Sequence, residues 1–240
     1  MPNAAGETGT PAHRRHAVSR PRAGAARGAA PRARPGRAPR STAPRVGVLS
    51  LQGDFERHGV ALRELGAEAV RLSLPEHLDG LDALVIPGGE SSTMLRLLDA
   101  TGLRAPVGRC VRTQPVLGTC AGLILLARNG DRLPAPTLGA IDIDAARNAY
   151  GRQVHSFTDE VEVAPLGGVV PGVFIRAPRI TRVGRGVEVI ARWRGEPVGV
   201  RQGRAVALAF HPELTSDRRL HAWFLREVAG LPIAAAAEPR

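Results

Sequence analysis

Five residues, Gly118-Thr119-Cys120-Ala121-Gly122, narrow the fold of this chain more than any other stretch. They join a short apolar run at residues 115–118 to an apolar segment at 121–127 that reads as a helix. A strand that turns this sharply into a helix projects its central side chain out of the sheet. The glycines on either side let strand and helix approach without Cβ clashes. The pattern predicts an α/β fold with Cys120 at the C-terminal edge of a parallel sheet, where open sheets bind their ligands. The position also suits chemistry, because a helix N-terminus stabilises a thiolate. A lone cysteine in a glycine-rich turn is ordinarily a packing residue. The strand before it and the helix after it turn the reading toward a nucleophile.

The flanking chain alternates as such a fold requires. From Arg45, residues 46–51 read as a buried strand. Asp54 is placed to cap a helix reaching about Leu65, with Phe55, Leu62 and Leu65 toward the core and Gly66 as its stop. Strands are predicted at 68–72 and 83–86, and helices at 91–98 and 103–112. The second half is strand-rich, with runs at 160–163, 172–175, 187–193, 197–201 and 205–210. A last helix is predicted at about 216–229, its apolar face carrying Leu220, Trp223, Phe224 and Val228. The expected architecture is a three-layer α/β domain. A mostly parallel central sheet is flanked by helices in a flavodoxin-like layout.

The net charge of +11 suggests nucleic acid at first sight, but its distribution weakens that reading. Residues 1–44 carry nine arginines and one acid, whereas 45–240 carry 24 arginines against 21 acids. Residues 1–44 hold one valine and no Leu, Ile, Phe, Trp or Tyr. Such a segment buries too little apolar surface to offset its ordering entropy, so it is expected to be a disordered extension of a domain spanning 45–240. It lacks the apolar middle of a secretory signal. Two cysteines cannot build a disulfide framework and no apolar window approaches twenty residues, so a cytoplasmic protein with no membrane association is expected.

Two further motifs bear on chemistry. In Phe210-His211-Pro212-Glu213, Pro212 favours an extended His211. Residues two apart then point to one side, so Glu213 is placed to fix the tautomer of His211 and stabilise its cation. In Pro87-Gly88-Gly89-Glu90-Ser91, backbone N–H groups of a glycine turn at a strand's C-terminal end can hold an oxyanion, while Ser91 can cap the next helix. The sequence carries no cluster of metal ligands.

These motifs, in this order, resemble the class I (triad) glutamine amidotransferases. With Leu51-Gln52-Gly53, the Arg147–Gln153 segment Arg-Asn-Ala-Tyr-Gly-Arg-Gln and Phe174-Ile175-Arg176-Ala177-Pro178, the chain is similar over about 45–229 to the glutaminase subunits of pyridoxal 5′-phosphate synthase. Residues 1–44 match nothing in that pattern. The resemblance implies hydrolysis of L-glutamine to L-glutamate and ammonia, with Cys120, His211 and Glu213 as the triad. It places substrate contacts on Gly89, Glu90, Ser91, Arg147, Ile175 and Arg176, and the oxyanion on Gly89 and Ala121. Arg147 or Arg176 would meet the substrate carboxylate, and Glu90 its ammonium. It implies no cofactor. The implied partner is a (β/α)8-barrel synthase subunit that takes the ammonia and raises glutaminase activity on docking, in a complex of twelve and twelve subunits. The alternatives are another triad amidotransferase, a different cysteine hydrolase, a catalytically dead regulator, and a nucleic-acid-binding protein acting through the basic extension.

Overall fold

The computed structural model describes residues 43–147 and 156–234. The expected disorder of residues 1–42, and residues 148–153 of the Arg-Asn-x-x-Gly-Arg-Gln motif, lie outside the described residues. In chain order the elements are β1 (Arg45–Leu49), α1 (Phe55–Glu64), β2 (Glu68–Leu72), β3 (Ala83–Ile86), α2 (Ser91–Ala100), α3 (Arg104–Thr113), β4 (Val116–Thr119) and α4 (Ala121–Leu126). Next come β5 (Ala127–Gly130), β6 (Ile141–Ala146), β7 (Ser156–Val163), β8 (Gly168–Ile175), β9 (Arg179–Val183), β10 (Glu188–Trp193), β11 (Glu196–Gln202), β12 (Ala205–Leu208) and α5 (Arg219–Trp223). The last helix continues as a wider π turn, Phe224–Val228, and starts three residues later than expected.

One sheet runs β2-β1-β3-β4-β12-β11-β10-β7-β8. The pairs from β2 to β12 are parallel, and β3, β4 and β12 are buried at every residue. Continuous apolar runs are what a parallel strand covered on both faces requires. Alternate residues of β4 show which helix covers which face. Thr119 meets His58 of α1 on one face. A Cβ on Gly118 would lie 2.7 Å from the backbone of Gly122 in α4 on the other. α5 shares the α1 side, since His221 meets His58, and α2 packs with α4. The three layers are therefore as expected. Beyond β12 the pairing turns antiparallel. The parallel description thus fits the half that carries the elbow, and the strand-rich second half extends the same sheet.

A second sheet, β5-β6-β9, was not legible in the sequence. β6 reads Ile-Asp-Ile-Asp-Ala-Ala, with charge at its second and fourth positions. The two aspartates are matched across the strands: Arg182 pairs with Asp142 and Asp144, and Arg128 with Asp142. That cross-strand compensation is invisible until the strands are paired. The small sheet also carries two arginines to one edge. Arg147 leaves the end of β6 and Arg176 precedes the start of β9, where Ala146 pairs with Arg179. Pro44, the last residue of the expected extension, is buried, and its carbonyl accepts the Glu68 N–H at 2.8 Å.

Candidate active site

The elbow forms as the sequence requires. Cys120 sits between β4 and α4 at φ 49, ψ −105, a backbone conformation costly for a non-glycine residue and held here by its surroundings. Its N–H donates to the Leu208 carbonyl at 2.8 Å. The flanking glycines are there for lack of space. A Cβ on Gly122 would lie 2.0 Å from the Ile86 carbonyl oxygen, and one on Gly118 would strike Gly122. The thiol is 3.8 Å from the Ile175 carbonyl oxygen. Ala121, the first helical residue, has an N–H with no partner inside the helix.

His211 and Glu213 come together, though not through an extended chain. Pro212–Leu214 forms a 3-10 turn, and His211 is fixed by its N–H donating to the Val173 carbonyl at 2.8 Å. His211 Nδ1 lies 2.7 Å from Glu213 Oε1. Glu213 is buried at 2% exposure, behind the ring, while His211 keeps 6% and Cys120 7%. The ring and the thiol can therefore meet a small molecule, and the carboxylate cannot. Burial acts to lower the His211 pKa, yet hydrogen bonding to Cys120 and Glu213, together with their charges, carries it up to about 10. For Glu213, burial favours the neutral acid. Its two imidazole neighbours, His58 first and then His211, outweigh it and hold the carboxyl well below the usual range. Gly88 packs beneath the pair: a Cβ there would lie 2.3 Å from His211 Cε1 and 3.3 Å from Cys120 Cβ.

These groups open on a cavity of about 260 Å³. Cys120, Ala121, His211, Gly89, Glu90, Ser91, Arg147, Ile175 and Arg176 all line it, so the structure brings every sequence-predicted site residue except the buried Glu213 to one wall or another. Gly89 has φ +153, a conformation open to glycine. Asp54 also lines the cavity, and its side chain makes no cap bond to α1.

Glu90, rather than Ser91, caps α2. Its Oε1 accepts from Ser92 N–H (3.1 Å) and Arg147 Nη2 (2.6 Å). Its Oε2 accepts from Thr93 N–H (2.7 Å) and the Thr93 hydroxyl (2.6 Å). A carboxylate offers about four lone-pair sites, and all are occupied. Burial opposes ionisation here, but the Thr93 and Ser92 bonds dominate and lower the pKa to about 2. An incoming ammonium would reach Glu90 only by displacing a donor, of which Arg147 is the one free to swing away. Arg147 also donates from Nη1 to Ser92 Oγ at 2.8 Å. Arg176, at φ 44, faces the same cavity.

Three residues of this region were not singled out in the sequence. His58, Thr119 and His221 are each 0% exposed and lie behind Glu213. The signal existed for the histidines. His58 falls on the buried stripe of α1 with Leu62 and Leu65, and His221 on that of the last helix with Phe224, Leu225 and Val228.

The SNO glutamine amidotransferase family matches residues 48–230. The chain belongs to that family. Pyridoxal 5′-phosphate synthase subunit PdxT of Mycolicibacterium vanbaalenii is 51% identical to this family member over 195 residues, 78% of this chain and 100% of the relative. The protein of the same name from Thermus thermophilus is 52% identical over 189 residues, 78% of this chain and 98% of the relative. A solved structure described as a glutamine amidotransferase superposes with a TM-score of 0.73 at 50% identity, covering 78% of this chain and 99% of that one. PurLQS from Thermotoga maritima, at 16% identity and a TM-score of 0.60, shares the fold alone.

Proposed function

We propose that this chain is the glutamine-hydrolysing subunit of a pyridoxal 5′-phosphate synthase and that it passes the ammonia to a synthase subunit. The observation that carries the reading is the approach of the elbow cysteine to the His211–Glu213 pair over one cavity. Its support from outside the site is the identity of about half to proteins that bear this name.

The chemistry follows from the geometry. With His211 held as its cation, Cys120 attacks the side-chain carbonyl of glutamine as a thiolate. The oxyanion is held by the N–H groups of Ala121 and Gly89. His211 gives its proton to the departing ammonia as the carbon–nitrogen bond breaks, leaving a thioester on Cys120. His211 then takes a proton from water, whose oxygen displaces the thiolate and releases glutamate. Glu213 touches no substrate and holds the ring. Arg176 meets the substrate carboxylate, with Arg147 joining it when the Glu90 pair opens. Gly89, Ser91 and Ile175 shape the slot for the amide.

The partner in this proposal is a (β/α)8-barrel synthase subunit, in a complex of twelve and twelve, in the cytoplasm. Among the described residues, no helix is long and apolar enough to cross a membrane. The test is glutamine hydrolysis by the full chain with and without that subunit. Stimulation of at least about tenfold, equal to about 1.4 kcal/mol of transition-state stabilisation, is expected. Loss of activity in Cys120→Ala is expected alongside. Activity that is equal with and without the subunit would make the chain a stand-alone glutaminase. Activity that survives Cys120→Ala would end the assignment of the nucleophile.

A further inference from the structure

Behind Glu213 lies a buried chain of polar groups that the hydrolytic steps do not use. His58 Nδ1 is 3.1 Å from His221 Nε2, and His58 Nε2 is 3.1 Å from Thr119 Oγ1. The same Nε2 is 3.4 Å from Glu213 Oε2. Among the described residues, neither Glu213 Oε2 nor His221 Nδ1 has a hydrogen-bond partner of its own. His58 thus touches both halves of the site. Thr119 is the residue before the nucleophile, and Glu213 is the group that holds His211.

We propose that His58 is a positioning residue for the hydrolysis, keeping the Glu213 carboxylate turned toward His211 and tying it to the nucleophile elbow through Thr119. This rests on the glutaminase reading. The argument is one of hydrogen placement. A buried carboxylate oxygen facing a lone pair would stay unpaired and bear the full desolvation cost of that group. His58 Nε2 must therefore carry a hydrogen. Neutral His58 with Nε2–H has a bare Nδ1, which accepts from His221 Nε2–H. Cationic His58 donates from both nitrogens, and His221 accepts at Nε2. In either state the hydrogen on His58 Nε2 faces Glu213 and Thr119, and His221 decides the other side of the ring. Burial first, then the neighbouring His58 imidazole, depress the His221 pKa to about 3, with Glu213 and Asp217 acting the other way and Arg218 adding to the depression. His221 thus enters as a neutral partner. With Oε2 facing His58 at 3.4 Å, the carboxylate presents Oε1 to His211 at 2.7 Å.

The test compares His58→Gln with His58→Asn in the complex with the synthase subunit. Glutamine can place an amide N–H near the former Nε2, whereas asparagine reaches only as far as Nδ1. His58→Asn is expected to lose about tenfold or more in kcat with little change in KM for glutamine. The alkaline limb of its kcat/KM profile should move to lower pH, because Glu213, no longer oriented by His58, holds the His211 proton less well. His58→Gln should lose far less and keep that limb in place. The downfield Nδ1 proton of His211, read by NMR without substrate, should shift in His58→Asn and stay in His58→Gln. That readout separates failure of this inference from failure of the glutaminase reading. Equal kcat, pH limb and proton shift in the two folded variants would overturn the proposal.

Discussion

Replacing Gly88 by alanine tests whether the position of His211 is set by the floor it rests on. Gly88 does not occupy the left-handed region, so alanine is allowed by the backbone. The added Cβ would sit 2.3 Å from His211 Cε1 and 3.1 Å from Nδ1. Carbon atoms attract best at about 3.5–4.0 Å. The ring must therefore retreat by more than about 1 Å, which the open cavity beside it permits. Because the ring has somewhere to go, the stability cost falls at the low end of the about 1–3 kcal/mol typical of overpacking. The activity cost is larger. A displacement of 1 Å from productive geometry is worth about a hundredfold, or about 2.7 kcal/mol in the barrier. The assay is kcat for glutamine in the presence of the synthase subunit, with a thermal melt alongside. Gly168→Ala is the control, since among the described residues a Cβ there meets nothing within 4 Å and needs no unusual backbone. A Gly88→Ala protein that keeps kcat within threefold of the unsubstituted enzyme would show that Gly88 does not set the ring.

A glutamine-analogue electrophile should label Cys120 alone: Cys110 is buried in the core, desolvation raises its pKa, and its thiol donates to Gln114 Oε1 at 3.2 Å. Mass spectrometry of the labelled peptide decides, and a tag on Cys110 with Cys120 untouched would refute it. Stability should fall on both sides of neutrality. His221, lowered from 6.5 to about 3, binds its proton only on unfolding across that window, so its contribution is lost as pH falls, by up to about 1.4 kcal/mol per pH unit. His211, raised to about 10, contributes below 6.5 and loses that contribution as pH rises toward 10. Melting curves of His221→Gln should show a flatter acid limb, and an unchanged limb would remove His221 from the account. A chain beginning at Ala43 keeps Pro44 and its bond to Glu68, and should retain its melting temperature and stimulated rate while losing weak, salt-dependent binding to DNA. Loss of stimulation would place residues 1–42 in the interface with the partner.

The sequence alone determined the parallel half of the fold and the motifs that meet there. Short apolar runs closed by glycine turns leave few other ways to bury themselves, and an elbow cysteine needs glycines wherever strand and helix cross. His211 and Glu213 were legible because they are two residues apart, close enough for local geometry to decide their contact. The sequence did not reveal the β5-β6-β9 sheet, since its aspartates become acceptable only beside Arg182 and Arg128 from elsewhere in the chain. Nor could it assign Glu90, whose four donors include Arg147, 57 positions away. His58 and His221 are 163 residues apart and meet only when α1 and α5 cover the same face of the sheet. Partners near in sequence can be read from local stereochemistry. Partners far apart depend on which helix lands on which face, and that is settled by packing.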